Sequence, residues 1–273
     1  MSDTTPNHTQ TVSGWAAHDN SGIITPFTFK RRHEITGLIT KVGSNVERFK
    51  VGDRVGIGCL AASCLECEFS MDSQENYCDK VQFTYNGIFW DGSITYGGYS
   101  NMIVADQRFV VHVPENLPMD AAAPLLCAGI TVFTPMKDNN MLDSPGKKLG
   151  IVGLGSLGHI AVKFGKAFGL HVSVISTSPS KETEAKPRLG ADEFIVSTNP
   201  KRMQAESRTL DFIIDTVFAQ HSLGPLLELL KVNGTLVVVG APEKPLELSS
   251  FPSILGNNDI VDRSSLCSKF IST

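Results

Sequence analysis

Residues 148–168, KLGIVGLGSLGHIAVKFGKAF, decide the fold of the second half of this 273-residue chain. The apolar run Lys148–Val152 has the composition of a buried strand, and residues 159–168 have the spacing of a helix. Between them stands a GxGxxG segment, residues 153–158. A strand, this glycine pattern and a helix in that order are typical of a dinucleotide-binding turn.

Each glycine of the segment has a separate structural role in such a turn. Gly153 allows the sharp bend, Gly155 lets the backbone approach a pyrophosphate, and Gly158 lets the helix pack closely on the strand. The alternative interpretation is an ordinary tight turn. We predict cofactor contacts from the whole segment, which comprises Gly153, Leu154, Gly155, Ser156, Leu157 and Gly158.

Strands and helices alternate around this segment. The alternation predicts a doubly wound parallel sheet, a Rossmann domain, over residues 114–256. The predicted strands are His171–Ile175, Glu193–Val196, Leu210–Ile214 and Gly234–Val239, and the predicted helices are Lys181–Leu189 and Ser222–Leu230.

The end of the second strand of this domain indicates which dinucleotide binds. An acidic residue there holds a ribose hydroxyl and repels a 2′-phosphate. This chain instead has hydroxyls and a cation, and its nearest acid is Glu182. The pattern favours NADP(H), with an ordinary helix cap as the alternative. The predicted contacts are Ser176, Thr177, Ser178 and Lys181.

The first half of the chain has a different pattern. Short β-type runs and glycine turns over residues 13–113 predict a partly open β-barrel or sandwich, preceded by a lead-in at residues 1–12. Strands are expected at His33–Val42, Arg54–Gly58, Asn101–Val104 and Phe109–Val113. A buried helix is expected at Ala121–Met136.

Four of the six cysteines fall within residues 59–78, which is the spacing of a metal site. Cys64, Cys67 and Cys78 supply three thiolates for a structural zinc ion, and Ser70 stands at the fourth position of the pattern. A hydroxyl is a poor ligand beside thiolates. Alternative fourth donors are water, Cys59 or a carboxylate of Glu66 or Asp72, and loss of the metal is a further alternative.

Composition excludes several functional classes. Lys and Arg number 24 against 28 Asp and Glu, a net charge of −4 without blocks of one sign, so no nucleic-acid surface is expected. No apolar run reaches the ~18 residues that a membrane span needs. The polar start of the chain lacks a signal pattern. We therefore expect a cytoplasmic protein without a membrane partner.

Ten stretches of the chain carry a resemblance to a known family. They are residues 14–19 (GWAAHD), 33–35 (HEI), 42–44 (VGS), 49–56 (FKVGDRVG), 75–78 (ENYC), 96–99 (YGGY), 123–131 (APLLCAGIT), 153–158, 213–217 (IIDTV) and 240–245 (GAPEKP). Together these residues resemble the zinc-dependent medium-chain alcohol dehydrogenase superfamily, within it the plant cinnamyl alcohol dehydrogenase group. The resemblance implies a GroES-like catalytic domain before the Rossmann domain.

The resemblance also implies an activity: NADP-dependent interconversion of a small-molecule aldehyde and a primary alcohol, in plant specialised metabolism. His33, Glu34 and Cys127 match ligands of the family's catalytic zinc. Zinc there acts as a Lewis acid that polarises the carbonyl for hydride transfer. Further matched cofactor contacts are Thr131, Thr216 and Gly240.

The chain departs from the family pattern at two places. The family's first zinc-ligand cysteine lies in a segment of a few dozen residues that is absent before His33, so the catalytic domain is incomplete. Residues 257–273 form a polar tail where the family has its sixth sheet strand and its homodimer edge, which argues against a dimer. Two alternatives follow: a zinc-free NADPH reductase on the same scaffold, or a truncated isoform without activity.

Overall fold

A computed structural model of the chain describes residues 11–17, 24–30, 34–98, 102–242, 244–247, 256 and 258–262. These residues form two compact units, one that ends at Cys127 and one that begins at Ala128. This division lies later than the boundary expected at residue 113. The segment after that residue stays with the first unit because the Arg54 guanidinium binds the carbonyls of Glu115 and Leu117.

The first unit consists of short antiparallel strands. β3, β4 and β9 form a three-stranded sheet, and the other strands pair in twos, β1 with β2, β5 with β6 and β7 with β8. The strands are β1 Thr11–Ala17, β2 Ile24–Lys30, β3 Ile35–Leu38, β4 Arg54–Ile57, β5 Leu60–Ala62, β6 Gln82–Phe83, β7 Tyr85–Ile88, β8 Ile94–Tyr96 and β9 Val110–His112. The helices are α1 Glu68–Met71 and α2 Met119–Ala122.

These strands bury a small apolar core. Phe49, Val55, Ile57 and Val110 form its centre. The strands predicted from the sequence are shorter than expected or irregular. The strand predicted from residue 101 is wrong for residues 102–104, which are irregular, because Val104 is 94% exposed and has no face to bury. The first predicted strand shortens to β3. β1 begins at Thr11, one residue before the expected end of the lead-in.

The second unit is a six-stranded parallel sheet, which confirms the Rossmann fold class. Its strand order is β12-β11-β10-β13-β14-β15, and every neighbouring pair is parallel. The strands are β10 Lys148–Val152, β11 His171–Ser176, β12 Glu193–Val196, β13 Leu210–Asp215, β14 Leu230–Val238 and β15 Asp259–Asp262. The helices are α3 Ala128–Asp138, α4 Ser156–Ala167, α5 Pro200–Ala205 and α6 Gly224–Leu227.

Apolar packing explains why the central strands carry almost no polar side chains. Leu149, Ile151 and Ile213 are fully buried, since helices cover both faces of a parallel sheet. α4 lies close to the sheet because Gly165 has no side chain. A Cβ at this position would come within 2.8 Å of Val172 Cγ2.

The helix predicted at Lys181–Leu189 is wrong as a regular helix. The segment consists of a 3₁₀ turn, Pro179–Lys181, and a π-helical turn, Glu184–Arg188, that contains Pro187. Proline lacks the N–H that a continuing α-helix would need.

The expectation of a sheet without its sixth strand is also wrong. β15 pairs in parallel with β14, with Leu236 opposite Ile260 and Val237 opposite Val261. The side-chain amide of Asn258 donates to the carbonyls of Lys231, 2.8 Å away, and Gly234, 3.2 Å away. The strand escaped detection because it has only two apolar residues, and its backbone pairing with β14 is a long-range contact.

Membrane spans were sought among the residues that the structure describes. No single helix there has both the length and the apolar composition to cross a membrane. The segments Met119–Leu126 and Ala128–Asp138, separated by a bend of 56°, pass the length and composition criteria only as a pair.

Candidate functional site

The turn after β10 has the shape that its glycines predict. Gly153 has a φ of +83°, a left-handed conformation that favours glycine. A Cβ on Gly158 would lie 2.1 Å from the carbonyl oxygen of Gly153, so no side chain fits there. Gly153 and Gly158 are therefore required by the fold itself.

Gly155 differs from these two glycines. Its φ is −93°, and a Cβ built on it meets nothing within 4 Å. It is exposed, as is Ser156, and it stands at the N-cap of the 12-residue helix α4 with no side chain to cap it. The N–H groups of the first helical turn and the helix dipole there attract an anion. The loop therefore fits the pyrophosphate of a dinucleotide.

The remaining residues of the loop point elsewhere. The side chains of Leu154 and Leu157 are buried in the core of the second unit, so only their backbone is available to a ligand.

Two predicted cofactor contacts lie outside the loop. Thr216 donates from Oγ1 to the carbonyl oxygen of Val152 at 2.7 Å, which joins β13 to the start of the loop. A Cβ on Gly240 would lie 2.1 Å from the carbonyl oxygen of Val217, so Gly240 permits a close backbone approach.

The four polar residues predicted after β11 lie together in one turn. The N–H of Ser178 donates to Ser176 Oγ at 3.2 Å, and Thr177 is exposed. Lys181 donates from Nζ to Glu184 Oε2 at 3.2 Å. Hydroxyls and a cation thus stand at the end of the second strand of the sheet, as the sequence predicts.

Glu184 was not foreseen, nor was its second partner. His159 Nε2 lies 2.9 Å from Glu184 Oε1. Hydrogen bonds from His159 and Lys181 lower the pKa of the Glu184 carboxyl, so it is ionised. The two residues are 25 positions apart, and the one available signal was a histidine directly after the glycine pattern.

A second unforeseen hydrogen bond between side chains lies at the end of β13. Asp215 is fully buried, and its Oδ2 is 2.7 Å from His221 Nε2. Burial raises the pKa of the Asp215 carboxyl, while His221 and the N–H of Val217 act in the opposite direction. We assign the pair to the support of the segment after β13, because the carbonyl of Asp215 also accepts from Val239 and Gly240.

In the first unit, the three predicted zinc thiols converge. The sulfurs of Cys64, Cys67 and Cys78 lie within 4.8 Å of one another, and none of the three forms a disulfide. Backbone N–H groups point at the sulfurs: that of Cys67 is 3.4 Å from Cys64 Sγ. A backbone hydrogen bond from Glu66, aided by bonds from Cys67, lowers the pKa of the Cys64 thiol to about 6. Thiolates arranged in this way suit zinc.

Ser70 stands at the fourth position of this cluster. Its Oγ is 3.2 Å from Cys67 Sγ and 3.7 Å from Cys64 Sγ. The hydroxyl also donates to Ser63 Oγ at 3.2 Å, and both serines are buried. Three thiols and one hydroxyl therefore surround one point, a donor set that fits zinc with one weak ligand.

The residues matched to the catalytic zinc are placed only in part. His33 lies outside the described residues, Glu34 directly precedes β3, and Cys127 ends the first unit. Leu126 packs over β4, since a Cβ on Gly56 would lie 2.8 Å from its Cδ1. Thr131 is half-buried on α3 of the second unit. The catalytic ligand set and the contact from Thr131 stay predictions.

Family models match both halves of the chain. Residues 5–115 match the alcohol dehydrogenase GroES-like domain, and residues 156–270 match the zinc-binding dehydrogenase domain. The second match extends over β15, in agreement with the complete sheet edge.

Similar proteins include a probable cinnamyl alcohol dehydrogenase 6 from Oryza sativa, 62% identical over 298 residues, 94% of this chain and 83% of the relative. Vomilenine reductase from Rauvolfia serpentina is 50% identical over 91% of this chain and 79% of its own. Since 94% of 273 residues is about 257, about 40 of the 298 positions aligned with the rice protein have no counterpart here. The shortfall agrees in size with the segment that the sequence lacks.

Two solved structures show the same architecture. A cinnamyl alcohol dehydrogenase from Sorghum bicolor superposes with a TM-score of 0.83 at 44% identity, over 95% of this chain and 84% of that one. CAD from Helicobacter pylori, solved in complex with NADP(H), gives a TM-score of 0.78 at 33% identity, over 95% and 85%. The chain therefore belongs to the zinc-type alcohol dehydrogenases, in the group of the plant cinnamyl alcohol dehydrogenases.

Proposed function

We propose that this chain interconverts an aldehyde and a primary alcohol by hydride transfer with NADP(H). The observation that carries the proposal is the open helix N-terminus at Gly155 and Ser156, with hydroxyls and the Lys181 cation at the end of the neighbouring strand. The first feature suits a pyrophosphate and the second a 2′-phosphate. The NADP(H) complex of the similar Helicobacter pylori protein supports this choice of cofactor.

When bound, NADP(H) supplies the hydride and a catalytic zinc ion supplies Lewis acidity. The chain's own residues bind and orient. The backbone of Gly155 and Ser156 receives the pyrophosphate, and Lys181 with Ser176 receives the 2′-phosphate. We assign catalytic zinc to His33, Glu34 and Cys127, and structural zinc to Cys64, Cys67 and Cys78 with Ser70.

The biological setting belongs to the same proposal. The similarity to plant cinnamyl alcohol dehydrogenases supports a role in plant specialised metabolism with an aromatic or terpenoid aldehyde, and we propose a cytoplasmic enzyme. A chain without the sixth strand would lack the sheet edge through which the family forms its homodimer. Because β15 is present, we propose a homodimer that pairs through this edge.

The test is aldehyde-dependent oxidation of NADPH by the zinc-supplemented chain, with cinnamaldehyde as substrate. The critical variant is Gly155→Ala, which the fold accommodates because its Cβ meets no atom within 4 Å. We expect an unchanged melting temperature and at least tenfold weaker NADPH binding, because the methyl group occupies the approach of the pyrophosphate. Wild-type protein that binds no NADPH, or a variant that binds it equally well, would contradict the proposal.

One observation favours a second function, a zinc-free NADPH reductase. Vomilenine reductase lies within the same range of similarity. The family's first zinc-ligand cysteine has no counterpart before His33, so the set of catalytic-zinc ligands is incomplete. Turnover that persists in the presence of a strong chelator would favour this reductase over the zinc-dependent enzyme. An inactive isoform, the remaining alternative, would show no melting shift with NADPH, because a ligand that binds the native state stabilises it.

A further inference from the structure

His159 occupies an unusual hydrogen-bonding position. Its Nδ1 lies 2.7 Å from the carbonyl oxygen of Gly155, and its Nε2 lies 2.9 Å from Glu184 Oε1. Both neighbours are acceptors, whereas a neutral imidazole carries one N–H. Only the imidazolium form donates at both nitrogens. The geometry therefore offers an acceptor to each of the two N–H groups of an imidazolium, in the first turn of α4.

Glu184 lies between this charge and a second one. Its other oxygen, Oε2, accepts from Lys181 Nζ at 3.2 Å. The side chains of Glu184 and His159 are 27% and 31% exposed, so water screens the three charges only in part. A continuous chain of contacts thus links the carbonyl of Gly155 in the phosphate loop to the lysine after β11.

The carboxylate of Glu184 conflicts with the proposed role of Lys181. A carboxylate next to a phosphate site repels the phosphate and competes for the lysine. If His159 were neutral, the charges of Lys181 and Glu184 would cancel. With the imidazolium present, one net positive charge remains at the end of the strand.

We propose that His159 is a positioning residue that determines cofactor specificity. As an imidazolium it binds Glu184, and this leaves the charge of Lys181 for the phosphate group that distinguishes NADP(H) from NAD(H). The inference rests on the proposed use of NADP(H). It adds an effect on discrimination between the two cofactors, exerted by a residue that need not contact the phosphate.

The test compares His159→Gln, Glu184→Gln and the double variant. Glutamine at position 159 keeps an N–H donor for Glu184 but removes the charge. We expect the affinity of His159→Gln for NADPH to fall about fivefold while the affinity for NADH stays unchanged, because a partly exposed ion pair is worth about that factor. Glu184→Gln removes the competing carboxylate, so it keeps full NADPH affinity, alone and in the double variant.

Fluorescence titrations with NADPH and NADH measure both affinities for each protein, and melting curves establish that each variant folds. Equal losses for NADPH and NADH in His159→Gln would overturn the inference, since His159 would then merely support the loop. A loss of NADPH affinity in Glu184→Gln would overturn it independently. Wild-type protein without preference for NADPH would overturn the proposed cofactor, and the inference with it.

Discussion

The cysteine loop, residues 64–78, and the parallel sheet are held together in opposite ways. The sheet buries apolar side chains from strands β10 to β14, and Leu149, Ile151 and Ile213 have no exposed surface. The cysteine loop contains a four-residue helix and a three-residue 3₁₀ turn, and its Met71 is 71% exposed. The sheet therefore draws its stability from the hydrophobic effect, which the loop largely lacks.

The backbone of the loop supports this contrast. Leu65 and Ser73 have φ values of 60° and 57°, left-handed conformations that non-glycine residues adopt at a cost. Such a loop needs a local crosslink. A zinc ion held by the three thiols at its centre would supply this crosslink. The comparison indicates that the two regions respond to different perturbations.

The largest effect is expected from removing apolar volume in the sheet. Ile213→Ala creates a cavity at a fully buried position, and we expect the free energy of unfolding to fall by about 3 kcal/mol. Urea denaturation measures the change. The control is Val232→Ala on β14, where the side chain is 54% exposed and the change should stay below about 0.5 kcal/mol. Similar losses in both variants would contradict the contrast.

Removal of zinc tests the other region. With a strong chelator we expect the amides of residues 64–78 to exchange hydrogen about a hundredfold faster, while those of β10 and β13 keep their protection. Metal analysis before and after chelation gives the zinc content. The result would contradict the crosslink hypothesis if the purified chain held zinc and its loss left exchange in the loop unchanged.

Ser70→Cys tests whether Ser70 is the fourth ligand of the zinc ion in the cysteine loop. A thiolate in place of the hydroxyl completes a four-sulfur set, and we expect zinc affinity to rise about tenfold or more. Competition with a chromogenic chelator measures the affinity. Ser63→Ala, which removes the acceptor of the Ser70 hydroxyl, is the matched control and leaves the sulfurs in place. An affinity unchanged by Ser70→Cys would place the fourth ligand elsewhere.

The smallest effect concerns the pH dependence of the second unit. Burial acts to raise the pKa of Asp192, but hydrogen bonds from Lys166 and Val172 outweigh it, so the folded pKa lies below the ordinary 3.8. The stabilisation is therefore present above that value and is lost as the pH falls through the folded pKa. We expect Asp192→Asn to cost about 1 kcal/mol at neutral pH and less below pH 3. Unfolding free energies at the two pH values provide the test.

Local patterns of the sequence allowed much of this protein to be predicted. The strand, turn and helix around Gly153–Gly158, the alternation that follows, the cofactor turn at Ser176–Lys181 and the thiol spacing are all short-range features. Their conformations follow from steric limits on glycine and from the periodicity of apolar residues. The resemblance to the family added the GroES-like domain, which the family model then matched.

Long-range contacts decided the rest. β15 forms because β14 offers it an edge for parallel pairing. The segment Lys181–Leu189 contains a π-helical turn around Pro187 instead of a regular helix. His159 and Glu184 form a hydrogen bond only because the packing of α4 brings two distant segments together. The sequence by itself determined which chemical groups the protein has and the local turns that present them. The tertiary structure alone decided which of these groups meet, because charge balance and strand pairing depend on distances in space and not on spacing along the chain.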